Sequence, residues 1–233
     1  MKIALLGYGK MGRVIEGIAI QRGHQIVLRK TASDSFDGLE TADVAIDFSV
    51  PTAAVDNITK CLEADIPVIS GTTGWLEDYH KVVGLCEQRN GAFIYGSNFS
   101  LGVNLFFELN EHLAKMMSKF TQYRVAMEEI HHTQKLDAPS GTAITLAKNI
   151  IENSDYSSWA LADAKSDEIL IDAKRIENVP GTHSVVYNSA VDSIEIKHTA
   201  HSRDGFALGA VIAAEWLIGK SGVYSMKDVL GLQ

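Results

Sequence analysis

The 233 residues predict an α/β chain, with a Rossmann-like first domain and an α+β second domain carrying a mixed sheet. Three observations support this. Short apolar runs alternate with helix-spaced segments through the first hundred residues, the pattern of parallel strands joined by right-handed crossovers. A Gly7-Tyr8-Gly9-Lys10-Met11-Gly12 run follows the first apolar segment directly. Beyond Asn98 the alternation gives way to one long helical stretch, then to strands whose apolar residues recur at every second position, as in a sheet buried on one face.

Taken in order, Ile3 to Leu6, Ile26 to Leu28, Val44 to Phe48, Pro67 to Ser70 and Ala92 to Tyr95 read as buried strands, with helices around 12–20, 52–64 and 76–90 between them. A helix from about Val103 to Lys119 opens the second domain. A strand from Tyr123 to Ile130, a helix from Gly141 to Glu152, and strands near Ile169 to Ile176, Gly181 to Asn188 and Asp192 to Thr199 follow. Residues 153–167, rich in Ser, Asp and Ala, predict an irregular connection. Apolar Phe206 to Ile218 predicts a helix that packs back onto the first domain. The domains are expected at 1–98 plus 205–233, for dinucleotide binding, and at 99–204, for substrate binding and oligomerisation.

Composition narrows the function. A formal charge of -8 argues against a nucleic-acid binder, since no broad face would neutralise a phosphate backbone. No apolar run reaches spanning length, and Met1 leads straight into a strand with no export signal, so a soluble, cytoplasmic protein with no membrane partner is expected. Cys61 and Cys86 lack metal-type spacing and read as buried thiols.

The glycine run lies where a dinucleotide fingerprint must, after a strand and at the start of a helix. Gly7 permits the tight turn, Gly9 lets a pyrophosphate approach the backbone, and Gly12 lets helix and strand pack closely, so Gly7 through Gly12, with Tyr8, Lys10 and Met11, are candidate cofactor contacts. At the end of the second strand, Arg29, Lys30 and Thr31 stand where an acidic residue would bind an NAD ribose, which tolerates the 2′-phosphate of NADP. Asp47-Phe48-Ser49, Gly71-Thr72-Thr73-Gly74 and Ser97-Asn98-Phe99-Ser100 close three strands on the edge where open α/β sheets bind ligands.

Glu128 to Thr142 packs two imidazoles, an ammonium and a Gly-Thr anion-binding turn into fifteen residues. The segment ends a strand and opens a helix, and its chemistry is that of a proton donor beside a carboxylate clamp. Neighbouring strand residues point to opposite faces, so His131 and His132 share one task only if the chain leaves the strand there, which Pro139 and Gly141 make plausible. His198 and His201 sit at a strand end and lack the Glu of a zinc-binding helix, so no metal is expected. Arg203 reads as a structural ion-pair residue.

Together these residues resemble the dihydrodipicolinate reductases (4-hydroxy-tetrahydrodipicolinate reductases) of bacterial lysine and diaminopimelate synthesis. The likeness runs over nearly the whole chain and is most specific in His-His-x-x-Lys-x-Asp-Ala-Pro-Ser-Gly-Thr. It implies an NADPH- or NADH-dependent oxidoreductase acting on a small dicarboxylate, with hydride to ring C4 and a proton from His131, whose imidazole, naturally near neutrality, suits that step. By position it implies Lys135 as a second catalytic cation, His132, Gly141 and Thr142 as substrate contacts, and Gly71, Thr72, Thr73, Gly96, Ser97, Asn98 and Phe99, with Phe48 beside them, along the cofactor. It also implies a homotetramer built through the second-domain sheets. The chain departs from the family pattern at Glu177, where a glycine is usual, and in lacking the acidic ribose ligand. A non-catalytic NAD(P) sensor and another two-domain amino- or hydroxy-acid dehydrogenase are the competing readings.

Overall fold

The computed structural model describes residues 1–232. The chain forms two compact units, Met1–Leu101 with the segment from Asp204 onward, and Gly102–Arg203.

The first unit runs β1 (Lys2–Leu6), α1 (Lys10–Gln21), β2 (Gln25–Lys30), β3 (Val44–Asp47), α2 (Pro51–Glu63), β4 (Val68–Ser70), α3 (Tyr79–Gln88) and β5 (Ala92–Tyr95). After the second unit it resumes with α6 (Asp204–Leu217), β11 (Gly222–Tyr224) and α7 (Met226–Leu230). Its strands lie in the order β11-β5-β4-β3-β1-β2, every neighbouring pair parallel. Ile3 through Leu6 and Val44 through Ile46 are buried without alternation, because both faces of the sheet are covered. Ile15 and Ala19 of α1 and Ala207, Ala210, Val211, Ala214 and Leu217 of α6 pack on one face. Ala54, Ile58 and Leu62 of α2, with Val82 and Cys86 of α3, pack on the other. Helix α6 is buried almost all round, as an apolar helix without a polar stripe must be. The three-residue β11, which pairs with β5, was not anticipated from the sequence.

The second unit holds α4 (Leu101–Met117, whose first residue falls in the first unit), β6 (Arg124–His131), α5 (Gly141–Ile151), β7 (Ser158–Ala160), β8 (Glu168–Arg175), β9 (Gly181–Asn188) and β10 (Ser193–Ala200). Its sheet has the order β10-β9-β6-β8-β7 and is mixed: β10, β9 and β6 are antiparallel in turn, while β6, β8 and β7 are parallel. Phe106 and Leu113 of α4 and Leu146 and Ile150 of α5 cover one face, against Val125, Met127, Ile169, Ile171 and Val185. Buried Asn110 ties the helices together by donating to the Leu146 carbonyl at 3.0 Å. Residues 153–167 are not irregular throughout. They contain β7, and Ser157 donates to the Asp167 carboxylate at 2.7 Å. Outside that three-residue, half-buried edge strand the segment is turns and bends, as its composition predicts.

On β6 the inward positions are Val125, Met127, Glu129 and His131. Two ionisable groups therefore continue an apolar line. The register sets Glu129 opposite His183 on β9, and His131 opposite Arg175 on β8.

Candidate active site

The glycine turn is built for a close approach. Gly7 has φ +100°, and a Cβ there would lie 2.1 Å from the Phe48 carbonyl oxygen; one on Gly12 would lie 2.3 Å from the Gly7 carbonyl oxygen. Nothing stands within 4 Å of where a Gly9 Cβ would project, and Gly9 caps α1 with no side-chain hydrogen bond, leaving the helix-start N–H groups for an anion. A cavity of about 320 Å³ opens there, lined by Gly7, Tyr8, Gly9, Lys30, Thr31 and Phe48 among others. Lys10 is exposed and Met11 half-buried at the helix start.

Arg29, Lys30 and Thr31 divide their roles. Arg29 Nε donates to Glu16 at 2.9 Å and its guanidinium lies 6.0 Å from the Tyr8 ring, while the Tyr8 hydroxyl donates to the same carboxylate. Arg29 and Tyr8 together hold Glu16 below the usual carboxylate range. Lys30 and Thr31 line the cavity, with the Lys30 ammonium 4.6 Å from the Phe36 ring.

At the sheet edge, buried Asp47 accepts from Ser49 Oγ (2.6 Å), Asn57 Nδ2 (2.9 Å), Ser70 Oγ (2.8 Å) and Thr72 Oγ1 (2.8 Å). Burial raises its carboxyl above the ordinary value and the four donors oppose that rise. This cluster fixes the turns after β3 and β4. The Thr72 hydroxyl is committed to it, and the Thr72 carbonyl accepts from Trp75 Nε1 at 2.7 Å, so only its backbone N–H is left for a ligand. Thr73 beside it is exposed. Phe48 overlies Gly71 and sits 5.8 Å from the Phe99 ring, which in turn packs over Gly96. Ser97 is exposed, and Asn98 Oδ1 accepts from the Ser100 N–H at 2.9 Å.

In the second unit the fully buried Glu129 gathers five groups. Both terminal nitrogens of Arg175 lie 3.2 Å from Oε1, and the Ser140 N–H donates to Oε2 at 2.9 Å. His131 Nδ1 and His183 Nε2 each stand 3.7 Å from Oε2. Ser140 Oγ is 3.0 Å from His183 Nε2 and also caps α5 by accepting from the Ala143 N–H at 3.2 Å. Burial alone would raise Glu129; His183, both Ser140 groups and the His131 charge outweigh it and hold the carboxyl at about 2.

His131 differs from expectation in one respect. Instead of lying near neutrality it is pushed down to about 4, first by burial, then by the charges of His183, Lys135 and Arg175, with only Glu129 opposing them. A dicarboxylate set against those cations would reverse much of that push. Lys135 Nζ lies 2.8 Å from both oxygens of Asp137. Arg175 also donates to the carbonyls of Lys135 (3.3 Å) and Asp137 (2.6 Å), clamping the loop between β6 and α5. Gly141 and Thr142 form the first turn of α5, where no helical carbonyl precedes their N–H groups.

His132 turns away from His131. It lines a separate cavity of about 390 Å³ with Thr133, Gln134, Glu177, Pro180 and Arg203. Among the described residues Arg203 makes no ion pair, so the structural role read from sequence does not hold; it faces this cavity instead. Glu177, at the position of the usual glycine, lines the same space. His198 packs its ring 6.0 Å from Phe106.

Family models describing the dihydrodipicolinate reductase N-terminus and C-terminus match residues 1–99 and 102–230. The chain belongs to the dihydrodipicolinate reductase family. A 4-hydroxy-tetrahydrodipicolinate reductase of Christiangramia forsetii is 60% identical over 233 residues, covering 99% of this chain and 98% of that protein. One from Methanoculleus marisnigri is 34% identical, covering 94% and 89%. In fold, the chain is similar to a dipicolinate-bound dihydrodipicolinate reductase from Paenisporosarcina sp. TG-14, with a TM-score of 0.75 at 21% identity and 97% of each chain covered.

As a member of the dihydrodipicolinate reductase family the protein is an oxidoreductase that uses NADH or NADPH. The open backbone at Gly9 and the cavity beside it fit such a cofactor. Glu129, His131 and His183 place one ligand atom each within 4.8 Å of one another, close enough for a metal ion. The donor set argues otherwise, because Ser140 and Arg175 already occupy the carboxylate and the guanidinium would repel a cation. Glu129 and His183 were missed as site residues in the sequence. The available signal was the spacing of two, which puts Glu129 on the same strand face as His131.

Proposed function

We propose that this chain carries out the reaction of its family, reduction of 4-hydroxy-tetrahydrodipicolinate to tetrahydrodipicolinate in lysine and diaminopimelate synthesis, with His131 as proton donor. One observation carries the reading. Through Glu129, a buried imidazole is tied to the anion-ready start of α5, with the Lys135 charge acting on the same imidazole. The C4 hydroxyl leaves as water to give the conjugated cyclic imine; when bound, the reduced nicotinamide would supply the hydride that its C4 receives. His131 then delivers a proton to the adjacent carbon of the resulting enamine. Lys135 leaves Asp137 for a substrate carboxylate, and the N–H groups of Gly141 and Thr142 hold the dianion as charge develops in the ring, while His132, which lines the separate cavity, takes no part in this clamp. Gly7 through Gly12, Phe48, Gly71 to Thr73 and Gly96 to Phe99 bind the cofactor.

The test supplies the unstable substrate from dihydrodipicolinate synthase and follows NADH and NADPH consumption separately. His131→Gln should lower kcat by about two to four decades while cofactor affinity holds. Wild-type turnover by that variant would remove His131 from the role. Lys135→Ala should weaken both substrate binding and turnover, and an unchanged KM would sink the clamp.

The family reading extends to a cytoplasmic homotetramer. It is supported by the sheet face opposite α4 and α5, where Leu170 is exposed, and by the unpaired edges β7 and β10. Light scattering on the purified chain decides the subunit number. No helix among the described residues is long and apolar enough to cross a membrane.

A further inference from the structure

We propose that Glu129 is a positioning residue for the reaction: pinned by Arg175 and Ser140, its carboxylate orients His131 so that Nδ1 faces Glu129 and Nε2 faces the gap over Gly181. The inference rests on His131 as the proton donor and goes beyond it by naming what aims the ring.

The geometry has three parts. First, Glu129 is immobile: it is fully buried, Arg175 holds Oε1, and the Ser140 N–H holds Oε2 at 2.9 Å. Second, His131 Nδ1 is buried with no hydrogen-bond partner in the ligand-free chain and stands 3.7 Å from Oε2. That spacing is too long for a hydrogen bond, but it sets a fixed countercharge beside an imidazolium and, in the neutral ring, favours the dipole of the tautomer that keeps its proton on Nδ1. Third, a Cβ on Gly181 would lie 3.2 Å from His131 Nε2 and 3.4 Å from Cδ2. The absence of a side chain at 181 therefore keeps the proton-bearing nitrogen uncrowded.

His183 completes the frame. It sits opposite Glu129 in the register, packs edge-on to His131 with ring centroids 5.0 Å apart, and is itself held by Ser140 Oγ. The charged or titratable groups around His131 are thus Glu129 on its own strand, His183 on β9, Arg175 on β8 and Lys135 in the loop. Glu129 is the only anion in that set. When His131 gives up its Nε2 proton it keeps the one on Nδ1, and Glu129 stabilises that tautomer. Arg175, Gly181 and His183, from the two strands beside β6, thus all bear on the one Glu129–His131 pair.

The experiment is imidazole ¹⁵N NMR of His131 in the full chain with pyridine-2,6-dicarboxylate bound, comparing wild type with Glu129→Gln. Glu129→Gln should shift protonation away from Nδ1 and lower the His131 pKa by about one unit, the effect of losing an adjacent opposite charge. Its kcat should fall about 10- to 100-fold, with the KM for substrate within about threefold. An unchanged His131 tautomer and pKa in Glu129→Gln would overturn the proposal, whatever happens to stability. Should that variant fail to fold, Glu129→Asp keeps the charge but withdraws it, and must give a smaller shift in the same direction; no shift overturns the proposal equally. Gly181→Ala should lower kcat by crowding Nε2 without moving the His131 pKa. Failure of the underlying reading looks different: His131→Gln would retain turnover while the NMR coupling between residues 129 and 131 persisted.

Discussion

Acidification should weaken the second unit through His131 before Glu129 contributes. The imidazole has an ordinary value of 6.5 and is held at about 4 in the folded chain. A depressed value means that the unfolded chain binds the proton more readily, so this stability is complete above pH 6.5 and is lost as pH falls toward 4. At about 1.4 kcal/mol per unit, going from pH 7 to pH 5 costs about 2 kcal/mol. Glu129, ordinarily 4.5 and held at about 2, adds its loss only below pH 4.5. Trp159 lies on β7 and is the one tryptophan of the second unit, Trp75 and Trp216 belonging to the first. Urea unfolding followed by Trp159 fluorescence, in a Trp75→Phe, Trp216→Phe background, isolates the relevant transition. With a slope of about 2 kcal/mol per M, the midpoint should fall by about 1 M between pH 7 and pH 5. The same measurement on His131→Gln removes every other titrating group by difference: the stability gap between the two proteins should change by about 2 kcal/mol. Parallel pH dependence in the two proteins would refute the account.

Three further outcomes are expected. Binding of pyridine-2,6-dicarboxylate at pH 7 should take up a substantial fraction of a proton, since the dianion raises a His131 held near 4; calorimetry in two buffers of different ionisation enthalpy reads it, and no uptake would count against His131 facing the dianion. Gly7→Ala combines φ +100° with a 2.1 Å overlap on the Phe48 carbonyl oxygen, so it should lose at least about tenfold in NAD(P)H affinity and lower the melting temperature, strain of about 1–3 kcal/mol being the minimum. Lys30→Ala should weaken NADPH more than NADH by about five- to tenfold in fluorescence titration, because Lys30 and not Arg29 is the cation lining the cavity; equal losses would move the phosphate contact elsewhere.

The parallel sheet was legible because Ile3 to Leu6 and Val44 to Ile46 are unbroken apolar runs, which only a sheet covered on both faces can bury. The fingerprint was legible because its glycines answer to local sterics, as the Phe48 and Gly7 carbonyls confirm. What was not legible depends on partners distant in sequence. Glu129 reads as one more polar residue until β9 brings His183 and β8 brings Arg175 beside it. The near-neutral expectation for His131 failed for the same reason, since its burial and cationic neighbours are tertiary facts. Arg29 looked free to meet a phosphate, but one helix turn carries Glu16 across to it. The strands β7 and β11 are three residues each, too short for any periodicity to announce them.

The first unit is assembled from both ends of the chain, and this has a consequence for synthesis. On the ribosome, Ile3, Ile15, Val44 and Phe99 emerge well before Ala207 to Leu217, the residues that cover them. Half of the first core therefore stays open to solvent while the whole of the second unit is made, and that unit, being continuous, can close first. Only the last thirty residues complete the sheet with β11 and seal the open face with α6. A chain interrupted near Arg203 would carry a finished second unit tethered to an uncovered sheet, a substrate for chaperones and proteases rather than a smaller enzyme.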